Sequence, residues 1–332
     1  MWPKHRNNAD RRSGSPNSPG ETGMVLLLVM WIVGLLSLVV MGWTHEWRTE
    51  LKLTANYRDS RQSHRLAEAG VYYAVGKILE AAMSQQTAAL RQTLPQQEPS
   101  ILWQADGRAY QLELTTGDIE IRAADEAGKV NLNVAKEDLL INLFQVLGLE
   151  RGAAQERAAA IQAWRGRSLQ SAPFTLRTEP LPGLAALYPA KQGRFDTVEE
   201  LAWVQGFGGS PLIPRLGQWL TVQEVGQGVN LNTASREVLL AMGFTASQVD
   251  EVLAARLSGP VRQMAQLPRL GQTGRGQFSQ PVSFQNSPFY TILSTGIIKK
   301  SRARHTIKAI MRLDQGRAKH WEILYWADDY PG

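Results

Sequence analysis

Hydrophobic positions along this chain follow different patterns in successive segments, and each pattern predicts a different kind of element. The first is an uncharged run of twenty residues from Met24 to Trp43. Residues 45–83 follow without a proline, and apolar side chains recur there at three- and four-residue steps. We therefore predict one long helix that begins in the apolar run and ends packed against a soluble domain. The predicted stripe consists of Ala67, Val71, Ala74, Ile78 and Ala82.

Alternation of apolar and polar residues predicts β-strands in two separate parts of the chain. Residues 107–126 read as a hairpin that turns at Thr116 and Gly117, with Tyr110, Leu112 and Leu114 on one face and Ile119 and Ile121 on the other. The second set of strands begins at Phe289, and residues 130–260 between the two sets are helix-like. Because an isolated hairpin is only marginally stable, we favour one sheet interrupted by a helical insertion. Three consecutive domains are the alternative.

The predicted fold class is therefore α+β, with a long N-terminal helix on an antiparallel sheet and a large inserted all-α domain. Within the insertion, residues 168–194 and 266–288 are predicted to be loops because they are rich in Pro, Gly and polar residues. The predicted parts are a leader at 1–23, a transmembrane segment at 24–44, a discontinuous α+β domain at 45–124 and 284–332, and the insertion at 125–283.

The apolar run matches the thickness of a bilayer's hydrocarbon core. Trp43 and Trp47 stand at one end of it, where aromatic rings favour the membrane interface. Basic residues outnumber acidic ones before the run, which predicts a cytoplasmic N-terminus and places the rest of the chain across the membrane. No small-residue cleavage site follows, so an ordinary secretory signal is disfavoured. From these residues alone, a plain single-span anchor is the stronger interpretation.

Composition removes several classes of function. The chain of 332 residues carries a net charge of +6 and has no cysteine, which excludes disulfides, iron–sulfur clusters, thiol nucleophiles and cysteine-bearing zinc sites. Its five histidines show no ligand spacing and no pattern of acidic partners, so a zinc site is not expected and no metal ligand is assigned. We find neither a nucleophile elbow nor a Walker loop. The chain is expected not to be an enzyme, and no catalytic residue is assigned.

Two segments of the predicted insertion repeat, "GKVNLNVAKEDLL" from Gly128 and "QGVNLNTASREVLL" from Gln227. In the second, Ser235 is predicted to cap a helix whose Val238 and Leu239 face inward. With "FDTVEELAWVQGF" from residue 195 and "FYTILSTGI" from residue 289, this order of motifs resembles the type IV pilin superfamily. The resemblance is specifically to the K-type minor pseudopilin of type II secretion (general secretion pathway protein K), and it spans roughly residues 20–326.

The resemblance implies that a prepilin peptidase cleaves between Gly23 and Met24. The apolar segment would then be retained, first as a membrane anchor and later in the core of a filament. Most pilins carry glutamate at the fifth mature position, where its carboxylate neutralises a neighbour's N-terminal amine in an apolar bundle. That position is Leu28 here, and K-type subunits also lack the glutamate. The resemblance therefore implies a subunit at the filament tip.

A minor pseudopilin of this type would initiate pseudopilus assembly and support protein export from the bacterial inner membrane, with its globular domain in the periplasm. The implied partners are other minor pseudopilins, the prepilin peptidase, the major pseudopilin filament and the inner-membrane assembly platform. The alternative that the chain is a minor subunit of a type IV pilus stays open. No cofactor is assigned, although some relatives bind calcium in the helical domain. Two acidic pairs, Asp125–Glu126 and Asp328–Asp329, could ligate calcium, but each is expected to be a solvated turn.

The phrase "VNLNTAS" also resembles helix-hairpin-helix modules that bind DNA, so a membrane-tethered DNA receptor is the alternative function. Residues 206–209 could form a glycine hairpin that holds a phosphate. Arg215 is the only cation expected near it, whereas phosphate binding normally needs several, so nucleic acid is an unlikely partner. The densest basic cluster lies around a strand connection and is expected to face water: Lys299, Lys300, Arg302, Arg304, His305, Lys308 and Arg312. Even spacing places four of these, Arg302, Arg304, Lys308 and Arg312, on one strand face.

Overall fold

The protein is seen in a computed structural model that describes residues 19–90, 103–166, 191–226, 228–267, 278–314 and 321–331. The chain divides into two compact units, one ending at Arg58 and the other beginning at Asp59. The second unit contains the sheet and the helical insertion. Residues 1–18 of the predicted leader lie outside the described residues, as does most of the predicted loop at 168–194.

Helix α1 extends without interruption from Pro19 to Leu90, which confirms the prediction of one long helix. Proline suits the first position of a helix because its missing N–H has no intrahelical partner there. Most of the predicted apolar stripe is buried in the second unit, while Ala82 is only half-buried. The buried members are Ala67, Val71, Ala74 and Ile78.

Five antiparallel strands form the sheet on which the last part of α1 packs. The spatial order is β1-β2-β7-β8-β9. The first two strands precede the insertion and the last three follow it. The strands are β1 (Asp106–Glu113), β2 (Gly117–Asp125), β7 (Phe289–Ile298), β8 (Arg304–Leu313) and β9 (Trp321–Ala327).

The predicted hairpin corresponds to β1 and β2, with Tyr110 opposite Ile121 and Leu112 opposite Ile119. Ile119 and Ile121 are buried beneath α1, as expected from the alternation. Leu114 was predicted to share the face of Tyr110, but it lies beyond β1 and is exposed. The reason is that the chain already turns at Leu114, whose amide donates to the Gly117 carbonyl oxygen at 3.0 Å.

The insertion leaves the sheet at the end of β2 and returns at the start of β7. These two strands are direct neighbours, and Asp125 pairs with Tyr290 at the edge where the chain leaves. A sheet whose adjacent strands flank the helical region cannot be built from three consecutive domains. The predicted fold class, an α+β domain with a long N-terminal helix and an inserted helical domain, is confirmed.

Two glycines lie where helix α1 packs against strand β7. A Cβ atom on Gly296 would collide with the carbonyl oxygen of Ser63 and would lie 2.7 Å from the amide nitrogen of Ala67. A Cβ atom on Gly70 would collide with the Oγ of Ser294. The missing side chains therefore let the backbones of helix and sheet come into contact.

The inserted domain consists of two copies of one module, as the sequence repeat predicts. Each copy has a short strand, a pair of helices joined by a hairpin, a 3₁₀ turn and a returning strand that pairs in parallel with the first. The first copy contains β3 (Val130–Asn131), α2 (Glu137–Val146), α3 (Arg151–Trp164), α4 (Ile213–Leu216) and β4 (Leu220–Thr221). The second contains β5 (Val229–Asn230), α5 (Arg236–Ala241), α6 (Ala246–Ser258) and β6 (Val282–Ser283).

Asparagine side chains form hydrogen bonds with backbone groups at the same place in both copies. Asn131 Oδ1 accepts from the Asn133 amide at 2.9 Å, and Asn133 exchanges two hydrogen bonds with the backbone of Phe195, at 2.7 and 3.0 Å. These bonds explain the "NLN" of the repeat, because asparagine offers both a donor and an acceptor. The second copy repeats the contacts with three residues in the same places: Asn230, Asn232 and Val261.

Local predictions within the insertion have mixed outcomes. The capping prediction is confirmed, because Ser235 Oγ accepts from the Val238 amide at 3.3 Å. Residues 130–260 are expected to be helix-like, but only a 3₁₀ turn forms at Val198–Trp203, and Gly206 follows it with a left-handed φ of 85°. The predicted loop at 266–288 contains strand β6, which is too short for an alternating pattern to reveal; residues 268–277 lie outside the described residues.

Candidate functional site

One helical segment among the described residues is long and apolar enough to cross a membrane, the 21 residues Gly23–Trp43. All of its residues are exposed, so it is not the core helix of a soluble domain. Monomeric proteins rarely expose so long a run of apolar side chains. The length, composition and exposure of the segment are compatible with a membrane anchor.

The predicted processing residues lie at the start of this segment. Met24 is 76% exposed and Leu28 is 61% exposed, and their spacing places them on one face of α1. A Cβ atom on Gly23 would meet nothing within 4 Å. Glycine at this position is therefore not required by packing within the described part of the chain. Cleavage between Gly23 and Met24 stays a prediction.

Asp125 joins the sheet to the insertion at the end of β2. Its buried carboxylate accepts five hydrogen bonds, so the expectation of a solvated turn is wrong for this residue. Oδ1 accepts from the Ala127 amide at 3.1 Å and from the amide and hydroxyl of Ser287 at 3.0 and 2.6 Å. Oδ2 accepts from Asn230 Nδ2 at 3.0 Å and Thr233 Oγ1 at 3.2 Å. These donors occupy the lone pairs that a calcium ion would need.

Two opposing effects act on the ionisation of this carboxyl group. Burial raises the pKa of Asp125, while hydrogen bonds from Ser287, Ala127 and Asn230 act in the opposite direction without cancelling it. A raised pKa means that the folded state binds the proton more tightly than the unfolded state does. The contribution of Asp125 to stability is therefore greatest below the ordinary carboxyl pKa and declines as the pH rises through the raised value.

We expect Asp125→Asn to lower the free energy of unfolding by about 2 kcal/mol, because the amide brings N–H donors to a point where five donors already converge. The asparagine side chain does not ionise, whereas the wild type gains stability as Asp125 takes up a proton. The difference in free energy of unfolding between wild type and variant should therefore widen as the pH falls toward 4. Urea denaturation of the full chain in detergent, followed by circular dichroism at pH 7 and pH 4, measures both quantities.

Asp250→Asn is the matched control for this change, because Asp250 is exposed and pairs with Arg236 on the surface of the insertion. Its loss should stay within about 0.5 kcal/mol, as for other exposed ion pairs. An equal loss in both variants, or a difference at Asp125 that widens as the pH rises, would contradict the role of this carboxylate.

Lys308 on β8 forms a second link between sheet and insertion. Its Nζ lies 2.6 Å from Glu199 Oε1, and its side chain is only 6% exposed. Burial alone lowers the pKa of Lys308, but the attraction and hydrogen bond of Glu199 outweigh it, so the pKa is raised. The expectation that the whole basic cluster faces water is wrong here, because the 3₁₀ turn of the insertion and Tyr330 cover this part of the strand. Arg302 and Arg304 are exposed, as expected.

A cavity of about 160 Å³ lies between the insertion and the sheet beside this link. Its charged lining groups are already paired. Glu126 pairs with Lys129 and also accepts from Thr291 Oγ1 at 2.6 Å, and Lys308 pairs with Glu199. The cavity is therefore part of the junction, and its charges are satisfied from within the chain. Glu126 is buried, so the expectation of a solvated turn is wrong for this residue too.

The helix-hairpin-helix units of the insertion are α2–α3 and α5–α6. Their turn glycines, Gly148 and Gly243, both have left-handed φ angles, of 93° and 99°. The expectation of such a hairpin at residues 206–209 is wrong, because that turn lies between a 3₁₀ turn and the four-residue helix α4. The nearby cation is Arg157, which lies 5.7 Å from the ring centroid of Phe207, and Arg215 instead lies over Trp219.

The two actual hairpins are poorly suited to holding a phosphate. Glu150 is the N-cap residue of α3, so a negative charge already stands where an anion would bind. At α6, Thr245 and Gln248 form a reciprocal capping box that uses the early amides. The nearby Arg236 is paired with Asp250. This arrangement favours packing over DNA binding as the role of the repeats.

Sequence reasoning missed a cluster of ionisable side chains at one end of the sheet. His64 Nε2 of α1 lies 3.3 Å from Asp328 Oδ1, and His305 Nδ1 of β8 lies 2.8 Å from Asp329 Oδ1. Asp328 and Asp329 are exposed, as expected for a solvated turn, but each also lies beside a histidine that the spacing of the sequence does not pair with it. No local motif could reveal the cluster, because its members are up to 264 positions apart.

Searches of protein-family models and of curated proteins give no match. Among solved structures, the chain is similar to one chain in the crystal structure of the GspK-GspI-GspJ complex from the type 2 secretion system of enterotoxigenic Escherichia coli. The two chains are 16% identical, and the match covers 81% of this chain and 98% of that chain, with a TM-score of 0.45. The activity of this chain is therefore inferred from its own residues.

Proposed function

We propose that this chain is a K-type minor pseudopilin of type II secretion, a non-enzymatic subunit at the tip of the pseudopilus. The supporting observation is the continuity of α1 from an exposed apolar segment into the buried stripe on the sheet. One helix can thereby hold the subunit in lipid before assembly and among apolar helices afterwards. This combination of roles is what the resemblance to the pilin superfamily implies.

The tip position is supported by Leu28 and by the insertion. A glutamate at this position would neutralise the N-terminal amine of a neighbouring subunit, whereas leucine cannot accept a proton or a hydrogen bond. A subunit with leucine here is suited to a place that has no neighbour above it. We propose that the insertion between β2 and β7 adds bulk that blocks the addition of another subunit.

The proposed orientation follows the charge before the apolar segment, with the N-terminus in the cytoplasm and the globular domain in the periplasm. The prepilin peptidase would release the leader. Other minor pseudopilins would then pack against the apolar segment in a tip complex. This complex would start growth of the major pseudopilin filament on the inner-membrane platform and thereby support protein export.

The first test is the intact mass of the membrane-extracted protein, expressed with and without a prepilin peptidase. We expect residues 1–23 to be lost only when the peptidase is present. A chain that stays uncut in both samples would overturn the proposal and indicate a plain single-span anchor. Its helical insertion would then be tested as a DNA-binding module by salt-dependent duplex binding.

A gene deletion separates the two filament systems. Loss of exported proteins from the medium, with retractile pili intact, would assign the processed chain to type II secretion. The opposite result, in which secretion continues and pili are lost, would assign it to a type IV pilus.

A further inference from the structure

Three potential metal-ligating side chains converge at the end of the sheet where β9 stops. His64 comes from α1, His305 from β8 and Asp328 from the residue after β9. One nitrogen or oxygen atom of each lies within 4.8 Å of the corresponding atoms of the other two. The two imidazole rings are 4.6 Å apart between centroids and are inclined by 60°. Both histidines thus present ring nitrogens to a shared space beside the carboxylate.

His305 has a ring nitrogen that is available for a ligand. Its side chain is 10% exposed, and its Nε2 is buried without a hydrogen-bond partner. Its Nδ1 lies 2.8 Å from Asp329 Oδ1. When Nδ1–H of a neutral imidazole donates a hydrogen bond to a carboxylate, the lone pair is on Nε2. This is the arrangement by which a second carboxylate orients a metal-binding histidine.

The other two side chains are also held in position. Asp328 Oδ1 accepts from Trp326 Nε1 at 3.0 Å and lies 3.3 Å from His64 Nε2. Asp329 adopts a left-handed φ of 52°, which turns consecutive carboxylates toward different histidines. Metal–ligand distances of about 2.0–2.2 Å require neighbouring ligand atoms to be closer than 4.8 Å. His64 Nε2 and Asp328 Oδ1, 3.3 Å apart, already have the spacing of two ligands of one ion, and side-chain adjustment of this pair and His305 would bring in the third ligand.

We propose that His64, His305 and Asp328 bind one divalent transition-metal ion of the zinc class. Two imidazoles and one carboxylate form a donor set that suits zinc, cobalt or copper, whereas calcium prefers oxygen ligands alone. Water fills the remaining position, as is usual where the protein supplies three ligands. Asp329 acts as a positioning residue for His305. The ion ties α1 to the C-terminal strands of the sheet.

The test uses the full-length chain in detergent, without a histidine tag and stripped of metal by a chelator. Titration with zinc chloride, followed by calorimetry, should give one site per chain. Cobalt should give a visible absorption band of a tetrahedral or five-coordinate site. Zinc should raise the melting temperature, because the ion binds the folded chain. Absence of both a one-to-one zinc site and the cobalt band would overturn the proposal and leave two internal histidine–aspartate pairs.

Variants separate this site from binding elsewhere on the chain. His305→Gln and Asp328→Asn should abolish the cobalt band, and Asp329→Asn should weaken zinc binding by about 10- to 100-fold while the site survives. Asp250→Asn is the control, a surface carboxylate of the insertion, and should bind like the wild type. Unchanged binding in His305→Gln and Asp328→Asn would also overturn the proposal.

Circular dichroism of each metal-free variant shows whether it folds. If His305→Gln does not fold, His64→Gln replaces it, because its ring is less buried. The cobalt spectrum of the wild type needs no variant, so the proposal stays testable in either case. The prepilin peptidase experiment is independent of these measurements, because it examines only the N-terminal segment.

Discussion

Gly296→Ala is expected to separate α1 from the sheet and to lower the free energy of unfolding by about 3 kcal/mol, at the upper end of the usual range for overpacking. The added Cβ would collide with the Ser63 carbonyl oxygen and would lie 2.7 Å from the Ala67 amide nitrogen. Both are backbone atoms of a helix, so neither can rotate away as a side chain could. Alanine within a strand ordinarily raises the free energy of unfolding by roughly 0.5–1 kcal/mol relative to glycine, but this gain is smaller than the cost of the collision.

Gly76→Ala is the matched control for this prediction. Gly76 lies in α1, the helix against which Gly296 of β7 packs, and a Cβ atom there would meet nothing within 4 Å. The same chemical change should stabilise the helix by up to about 1 kcal/mol, because alanine favours helix more than glycine does. Urea denaturation of both variants in detergent measures the difference. A stability of Gly296→Ala equal to that of the wild type would show that α1 does not press on β7 at this point.

Gly23→Val is expected to abolish removal of residues 1–23 and, with it, assembly of the subunit into a filament. Catalysis requires the scissile backbone to come within reach of the peptidase's active groups, and a β-branched side chain before the cut obstructs that approach. Folding should be unaffected, since the position has open space around it. The expected result is therefore an uncut chain in the membrane at normal abundance, seen as the unprocessed intact mass.

Gly34→Val provides the control, because Gly34 lies in the same apolar segment and also has nothing within 4 Å of its Cβ position. This variant should be cut like the wild type when the peptidase is present. Normal processing of Gly23→Val would refute the assigned cleavage position. A block in both variants would indicate that valine disturbs the segment as a whole rather than one position.

Patterns that depend on near neighbours in the sequence were predictable. An apolar run of twenty residues needs an apolar environment whatever follows it, so the segment from Met24 to Trp43 could be recognised directly. The repeated "VNLN" phrase predicted two copies of one module, and in each copy the first asparagine accepts a hydrogen bond from the amide two residues later. The hairpin of β1 and β2 followed from alternation and a turn.

Errors arose where burial depends on what another part of the chain covers. Lys308 and Asp125 were expected to face water because charged residues usually do, yet the insertion covers both. The glycine turn at residues 206–209 resembled a phosphate-binding hairpin, but its neighbours are too short to be the two helices of such a unit. In each case the local residues were identified correctly and their surroundings were not.

The sequence by itself therefore determined the long helix with its apolar segment, the strands, the repeated module and the class of fold. These features follow from the periodicity of apolar residues and from interactions between residues a few positions apart, both of which can be recognised in the sequence. The tertiary structure alone decided the contact of Gly296 with α1, the junction at Asp125 and the meeting of His64 with His305 and Asp328. Each of these contacts joins segments that are far apart in the chain. The segments come together only when the chain has folded.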